Sequence, residues 1–190
     1  MRVESAAQGP RRRVHRSEDS EENSRKAPRM LGPNRFAPRL CDVSLDELAG
    51  RGIRGLIVDL DNTLVAYRCS EIIEEHLAWI QMAQRRSFKI VMLSNNFSDR
   101  VRSIADQLAV ECVPNALKPL PTGFWRAQRA LALPRRQIAV VGDQLFTDVL
   151  GGRIFGFYTI LTEPIEPHDF ALTRVFRFFE RLFLPQRHLP

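Results

Sequence analysis

The sequence predicts an α/β fold, a single open parallel sheet with helices on both faces. Three observations predict it. Short uninterrupted apolar runs recur along the chain, as strands buried on both faces require. Segments of helical spacing lie between those runs, the alternation that builds parallel sheets. Polar and acidic residues gather just after the apolar runs, where open parallel sheets carry their sites.

Ser44 opens the ordered pattern as a cap for a short helix over 45–49, with Glu47 at the third helical position of a capping box. Gly55-Leu-Ile-Val-Asp-Leu60 reads as the first buried strand. Residues 72–86 form a helix with Ile72, Ile73, His76, Leu77, Ile80 and Ala83 on one side. Lys89-Ile-Val-Met-Leu93 is the second strand, and Ser98 or Asp99 caps a helix running to Leu108. Glu111-Cys-Val113 is a brief third strand. Pro121 to Leu131 is a helix with proline in its first turn, where the missing N–H does no harm. Residues 137–141 and 157–161 complete a set of five strands. Gly151, Gly152 and Gly156 read as turn glycines, and His76 as a packed surface histidine.

The 190 residues suit one domain, and 44% hydrophobic with 26% charged is a globular composition. Three divisions are expected. Residues 1–29 are a polar head of Arg, Ser, Glu and Pro with almost nothing to bury, and are expected to be disordered. Met30 begins the first protein-like segment, so translation from Met30 would omit the head. Residues 30–168 form the domain, and residues 169–190 a tail. No run reaches the ~18 apolar residues of a membrane span, and the first thirty residues hold no secretory apolar stretch. Cys41, Cys69 and Cys112 are odd in number and widely spaced, which suits a reducing cytoplasm better than disulfides or zinc. The net charge of +6 comes without an aromatic-and-basic platform or helix-turn-helix pattern, so no nucleic-acid partner is expected.

The chemistry falls at the strand ends. The first strand runs into Asp59-Leu60-Asp61-Asn62-Thr63, the second into Ser94-Asn95-Asn96, the third leads to Lys118-Pro119, and the fourth to Gly142-Asp143 with Asp148 behind. Taken singly, each is an ordinary loop or cap; the order and strand-end placement of all four carry the reading. Crowded carboxylates repel one another and ask for a cation, and an all-oxygen set suits Mg²⁺. A carboxylate can attack phosphorus to give an aspartyl-phosphate, a second acid two residues on can protonate the leaving oxygen, and a hydroxyl and an ammonium can hold the phosphoryl oxygens.

These residues resemble the haloacid dehalogenase (HAD) superfamily of phosphatases over about residues 40–165. GLIVDLDNTL, LSNN, ALKP and GDQLFTDVLGG together resemble its YqeG-type branch, subfamily IIIA, which is similar to the mitochondrial phosphatidylglycerophosphate phosphatases. The resemblance implies a Rossmann-like sheet, with Asp59 as nucleophile and Asp61 as general acid/base. It implies Ser94 and Lys118 as phosphate holders, with Thr63 and Asn95 at the phosphate-binding loops. Asp59, Asp61 (through its backbone carbonyl), Asp143 and Asp148 would then serve Mg²⁺.

The intervals from Asp61 to Ser94 and from Ser94 to Lys118 leave no room for a cap domain, so an open site is expected, one that admits a phosphate carried on a macromolecule or a lipid headgroup. Between residues 169 and 184, at ~100° per residue, Leu172, Val175, Phe176, Phe178, Phe179, Leu182 and Phe183 fall on one side and Arg174, Arg177, Glu180 and Arg181 opposite. Such a helix can lie on an anionic membrane at its inner face, pack on its own domain, or join subunits of a homo-oligomer. The resemblance, taken with the open site and the tail, implies phosphatidylglycerophosphate as the substrate. A soluble phosphorylated metabolite, nucleotide or phosphoprotein is the alternative within enzymes, and a non-catalytic binding protein of the same fold the alternative outside them.

Overall fold

The computed structural model describes residues 32–166. Six strands form one all-parallel sheet: β1 (Arg35–Ala37), β2 (Gly55–Asp59), β3 (Lys89–Leu93), β4 (Glu111–Val113), β5 (Ile138–Gly142) and β6 (Tyr158–Thr162), in the order β1-β6-β5-β2-β3-β4. The helices are α1 (Leu45–Gly50), α2 (Glu74–Arg85), α3 (Asp99–Gln107), α4 (Pro121–Leu131) and α5 (Gly151–Phe155). A π-helical turn, Leu145–Leu150, leads directly into α5. The head (1–29) and the amphipathic tail (169–190) lie outside the described residues.

The sheet is buried because its strands are apolar on both sides. Along β2, Leu56 and Val58 face one way, packed with Ile90 and Met92 against Trp79 and Ile80 of α2 and Val101 and Ile104 of α3. Ile57 faces the other way, packed with Val91, Leu93 and Val140 against Phe124 and Leu131 of α4 and Phe155 of α5. Period-2 alternation with apolar residues on both faces is what a sandwiched central strand requires. In the first layer Trp79 also donates its Nε1–H to the Val43 carbonyl at 2.8 Å, so its one polar atom is satisfied.

The topology creates the crevice. From β2 the chain steps outward through α2 to β3 and through α3 to β4, then returns by α4 to place β5 on the opposite side of β2. The helices change faces at the same point. This reversal opens a gap beyond the carboxyl ends of β2 and β5, where ligands of open α/β sheets bind.

Several expectations are corrected. A sixth strand, β1, pairs in parallel with β6 through Arg35↔Ile160 to Ala37↔Thr162, where five strands had been expected. Gly151 and Gly152 are buried helical residues rather than turn residues. A Cβ on Gly151 would stand 2.5 Å from the Phe124 ring, and one on Gly152 would stand 2.9 Å from the Thr159 methyl. Gly156 does end a helix in the left-handed conformation, at φ 85°. His76 is buried, with Nδ1 3.0 Å from the Leu64 carbonyl, because its helix turns that face inward. The cysteines are all free, and among the described residues no helix is long and apolar enough to cross a membrane.

Candidate active site

Asp59 is the last residue of β2 and is almost fully buried. Its side chain meets two others delivered from elsewhere in the fold. Lys118 lies in the loop after β4, and its ammonium donates to Asp59 Oδ1 and, at 2.5 Å, to Asp148 Oδ1. Asp148 sits in the π-helical turn after β5. Asp143, the residue after β5, completes the group: carboxylate oxygens of Asp59, Asp143 and Asp148 lie within 4.8 Å of one another.

Local backbone chemistry explains how these groups come so close. Gly142 has no Cβ, and one built there would stand 2.4 Å from Asp148 Cγ, so only glycine lets Asp148 fold back over the end of β5. The Gln144 N–H donates to Asp148 Oδ2 at 3.2 Å and fixes that approach. Lys118 is held by its main chain: Asn95 Oδ1 accepts from the Lys118 N–H at 2.6 Å, and Asn95 Nδ2 donates to the Lys118 carbonyl at 3.1 Å. Asn115 N–H further donates to the Asn96 carbonyl at 3.1 Å, tying the loops after β3 and β4 together. Asn115 and Leu117 both have positive φ, 50° and 57°. Such a leucine is strained and persists only where its surroundings over-determine it, as the Asn95 clamp does here. Gly123 of α4 contributes too, since a Cβ there would stand 2.4 Å from the Ala116 carbonyl.

The electrostatics follow from burial. Removal from water pushes Asp59 up to about 7, with Lys118 opposing and Asp148 adding to the rise. Asp143 is pushed up to about 8, first by burial and then by the charges of Asp59 and Asp148. Burial works against the Lys118 charge, but Asp148 and Asp59 outweigh it, so its pKa rises and the ammonium is kept. With all groups ionised, three carboxylates against one ammonium leave two negative charges, which a divalent cation neutralises. Asp59 Oδ2 is buried without a hydrogen-bond partner, an orphaned atom facing that unbalanced charge. The donor set is all oxygen and suits Mg²⁺.

The remaining expected residues divide by role. Thr63 is buried and donates weakly to Asp143 Oδ1 at 3.5 Å, which ties the turn after β2 to the acid after β5. Ser94 ends the β3 connection, and its Oγ accepts from the Asn96 N–H at 3.0 Å, which orients the hydroxyl at the sheet edge. The Asn95 side chain, expected at the phosphate-binding loops, uses both of its polar ends on the Lys118 backbone and positions that loop. The Asp61 carboxylate stands apart from the three clustered acids. Its Oδ1 accepts from Arg100 at 2.6 Å and from the Arg68 N–H at 3.2 Å. Arg100 was not among the expected residues. It lies on the first turn of α3, far from Asp61 in sequence, and no local pattern marks it.

Asp61 to Ser94 is occupied by a compact turn closed by the Asp61↔Val65 and Val65↔Ile72 bridges, then α2 and β3. No cap domain stands between them, as the spacing predicts.

Comparison with known proteins finds a matching family, a relative and structural neighbours. A family model described as a haloacid dehalogenase-like hydrolase matches residues 6–156. The Bacillus subtilis (strain 168) protein named "Probable phosphatase YqeG" is 34% identical over 152 residues, covering 80% of this chain and 88% of that one. Among solved structures, a hypothetical protein of Xanthomonas campestris matches with a TM-score of 0.51 at 13% identity, covering 73% of this chain and 79% of that chain. A 3-deoxy-D-manno-octulosonate 8-phosphate phosphatase of Moraxella catarrhalis matches with a TM-score of 0.47 at 13% identity, covering 73% of this chain and 92% of that chain.

Proposed function

The chain belongs to the haloacid dehalogenase-like hydrolases, and from that membership we propose a magnesium-dependent phosphomonoesterase that acts through an aspartyl-phosphate on phosphatidylglycerophosphate. The observation that carries the phosphatase reading is the buried group of Asp59, Lys118, Asp143 and Asp148 at the switch point of the sheet.

Each residue has a task that fits its surroundings. Lys118 holds Asp59 Oδ1, which leaves Oδ2 unspent and able to attack phosphorus. The Asp59–phosphorus bond forms as the bond to the leaving oxygen breaks, and Asp61 supplies the proton that oxygen needs. Water then attacks the aspartyl-phosphate. Asp61 takes its proton, and inorganic phosphate leaves with Asp59 restored. Ser94 and Lys118 stand where they can hold phosphoryl oxygens as charge develops. Asp59, Asp143 and Asp148, with the Asp61 backbone carbonyl, are the groups that would hold Mg²⁺, which when bound neutralises phosphoryl charge. Retention of both acids, one buried beside a lysine and one poised on an arginine, supports turnover over a pure binding role.

The lipid assignment is supported by the rim of the site. Exposed apolar side chains sit on the loops at the same sheet edge: Phe97 after β3, Leu117 beside Lys118, and Leu145 and Phe146 after Asp143. Phe97 is 70% exposed, with the Arg102 guanidinium 5.9 Å from its ring centre. Single exposed apolar residues are ordinary, but several on three loops around one uncapped site suit a phosphate presented at a lipid surface. Peripheral contact at the inner membrane face, through this rim or through 169–190, belongs to the same proposal.

The test is Mg²⁺-dependent phosphate release from phosphatidylglycerophosphate in mixed micelles, beside a panel of soluble phosphate esters, with Asp59→Asn as blank. Lipid turnover well above the panel, abolished by the substitution, is the expected result. Turnover confined to the soluble panel would retain the chemistry and remove the lipid substrate.

A further inference from the structure

The general acid of the proposed reaction is not idle in the free protein. Asp61 Oδ1 is gripped at 2.6 Å by Arg100 Nη2, while Arg100 Nη1 donates to the Cys69 carbonyl at 2.5 Å. The pair is largely withdrawn from water, with side chains 15% and 17% exposed. Arg100 thus stands beside the reacting centre on the first turn of α3, tethered at one nitrogen and bonded to a catalytic carboxylate at another.

The bonds from Arg100 and from the Arg68 N–H both fall on Oδ1 and fix the orientation of the carboxylate, so presenting that oxygen to a leaving group requires the pair to open. Once open, Arg100 is a mostly buried cation without its partner, and an unpaired charge there is strongly unfavourable. The Cys69 carbonyl keeps one side of the fork in place and leaves the other donors to find a new anion. A planar guanidinium matches a phosphate or carboxylate with two parallel bonds.

We propose that Arg100 is a second-anion subsite: as the phosphate ester enters, Arg100 passes from Asp61 to another anionic group on the same substrate. That group is a phosphodiester, a carboxylate or a second phosphate a few bonds from the phosphoryl group transferred. The exchange frees Asp61 only when a second anion arrives, so simple monoesters are discriminated against at the step that releases the acid. This inference rests on the phosphatase reading and narrows its substrate class. A lipid phosphodiester and a soluble second anion share the chemistry, and the arms of the experiment separate them.

The full-length chain with Mg²⁺ is assayed on p-nitrophenyl phosphate, which has no second anion, on 3-phosphoglycerate, whose second anion is soluble, and on phosphatidylglycerophosphate in mixed micelles. Arg100→Ala should lower kcat/KM on a substrate with a second anion by about 100-fold. It should raise the value on p-nitrophenyl phosphate, because Asp61 is then free without a second anion, so the ratio between the two collapses. Arg100→Lys, which keeps the charge without the fork, should recover part of that ratio. The substrate whose ratio collapses identifies the source of the anion. Equal losses on all three substrates, or no recovery with lysine, would overturn the inference alone. An unsubstituted chain inert toward all three would overturn the phosphatase reading, and the inference with it.

Discussion

Gly142→Ala isolates the packing that makes the acidic cluster possible. The added Cβ would stand 2.4 Å from Asp148 Cγ, 2.5 Å from its Oδ2 and 2.6 Å from its Cβ, against the 3.4 Å at which ordinary contact begins. The obstacle is not the free end of a long side chain. Asp148 is short, donated to by Lys118 at 2.5 Å and by the Gln144 N–H at 3.2 Å, so relief needs a shift of about 1 Å in the aspartate or the turn that carries it. Overpacking of this kind costs about 1–3 kcal/mol of stability. A displacement of about 1 Å in a site-forming group lowers kcat by about 100-fold. The assay is urea unfolding together with Mg²⁺-dependent hydrolysis of p-nitrophenyl phosphate. Gly50→Ala is the control, since nothing lies within 4 Å of a Cβ there, and it should leave both readouts unchanged within about twofold. A Gly142→Ala protein with kcat within about threefold of the parent would refute the argument that this glycine sets the position of Asp148.

Two further outcomes follow from the same cluster. Asp59 and Asp143 have pKa values of about 7 and about 8, above their unfolded values, so protons favour the folded state. Their contribution to stability is complete below about pH 4 and is lost as pH rises through 7 to 8. The metal-free chain should therefore melt at progressively lower temperature between pH 5 and 8.5, and Mg²⁺ should raise Tm more at pH 8.5 than at pH 5; an equal shift at both would contradict this. Asn95→Ala removes both bonds to the Lys118 backbone and frees a loop with two residues in the left-handed region. It should cost about 1–3 kcal/mol in urea unfolding and reduce kcat by about 10–100-fold, while a kcat equal to the parent's would show that Lys118 holds its place unaided.

What the sequence showed plainly was the central sheet and the order of chemistry along its edge. Short apolar runs such as residues 55–60 and 137–141, set between helical segments, read as strands buried on both faces, and an acidic turn at the end of each has one edge to occupy. The failures share a cause, dependence on partners distant in the chain. Strand β1 is three residues long and followed at once by Pro38, so it has no period to detect and exists only because β6 offers a ladder. Adjacent glycines at 151 and 152 carry the usual signature of a turn, and only the closeness of Phe124 and Thr159 shows that they are glycines for want of room inside a helix. Asn95 was visible as a site residue, but the partner it holds, the Lys118 backbone, lies on a loop in the next crossover. Arg100 is one arginine among many until the fold sets it against Asp61.

The two outermost strands, β1 and β4, are each three residues long, while the four between them have five. A long bare strand margin is a template on which a second chain can add its own strand, the first step toward aggregates. Here both margins are too short to be good templates. β1, near the start of the described residues, covers the edge of β6. Those three residues, remote from the catalytic groups, give the molecule a protection against self-association that its four largely apolar inner strands would otherwise lack.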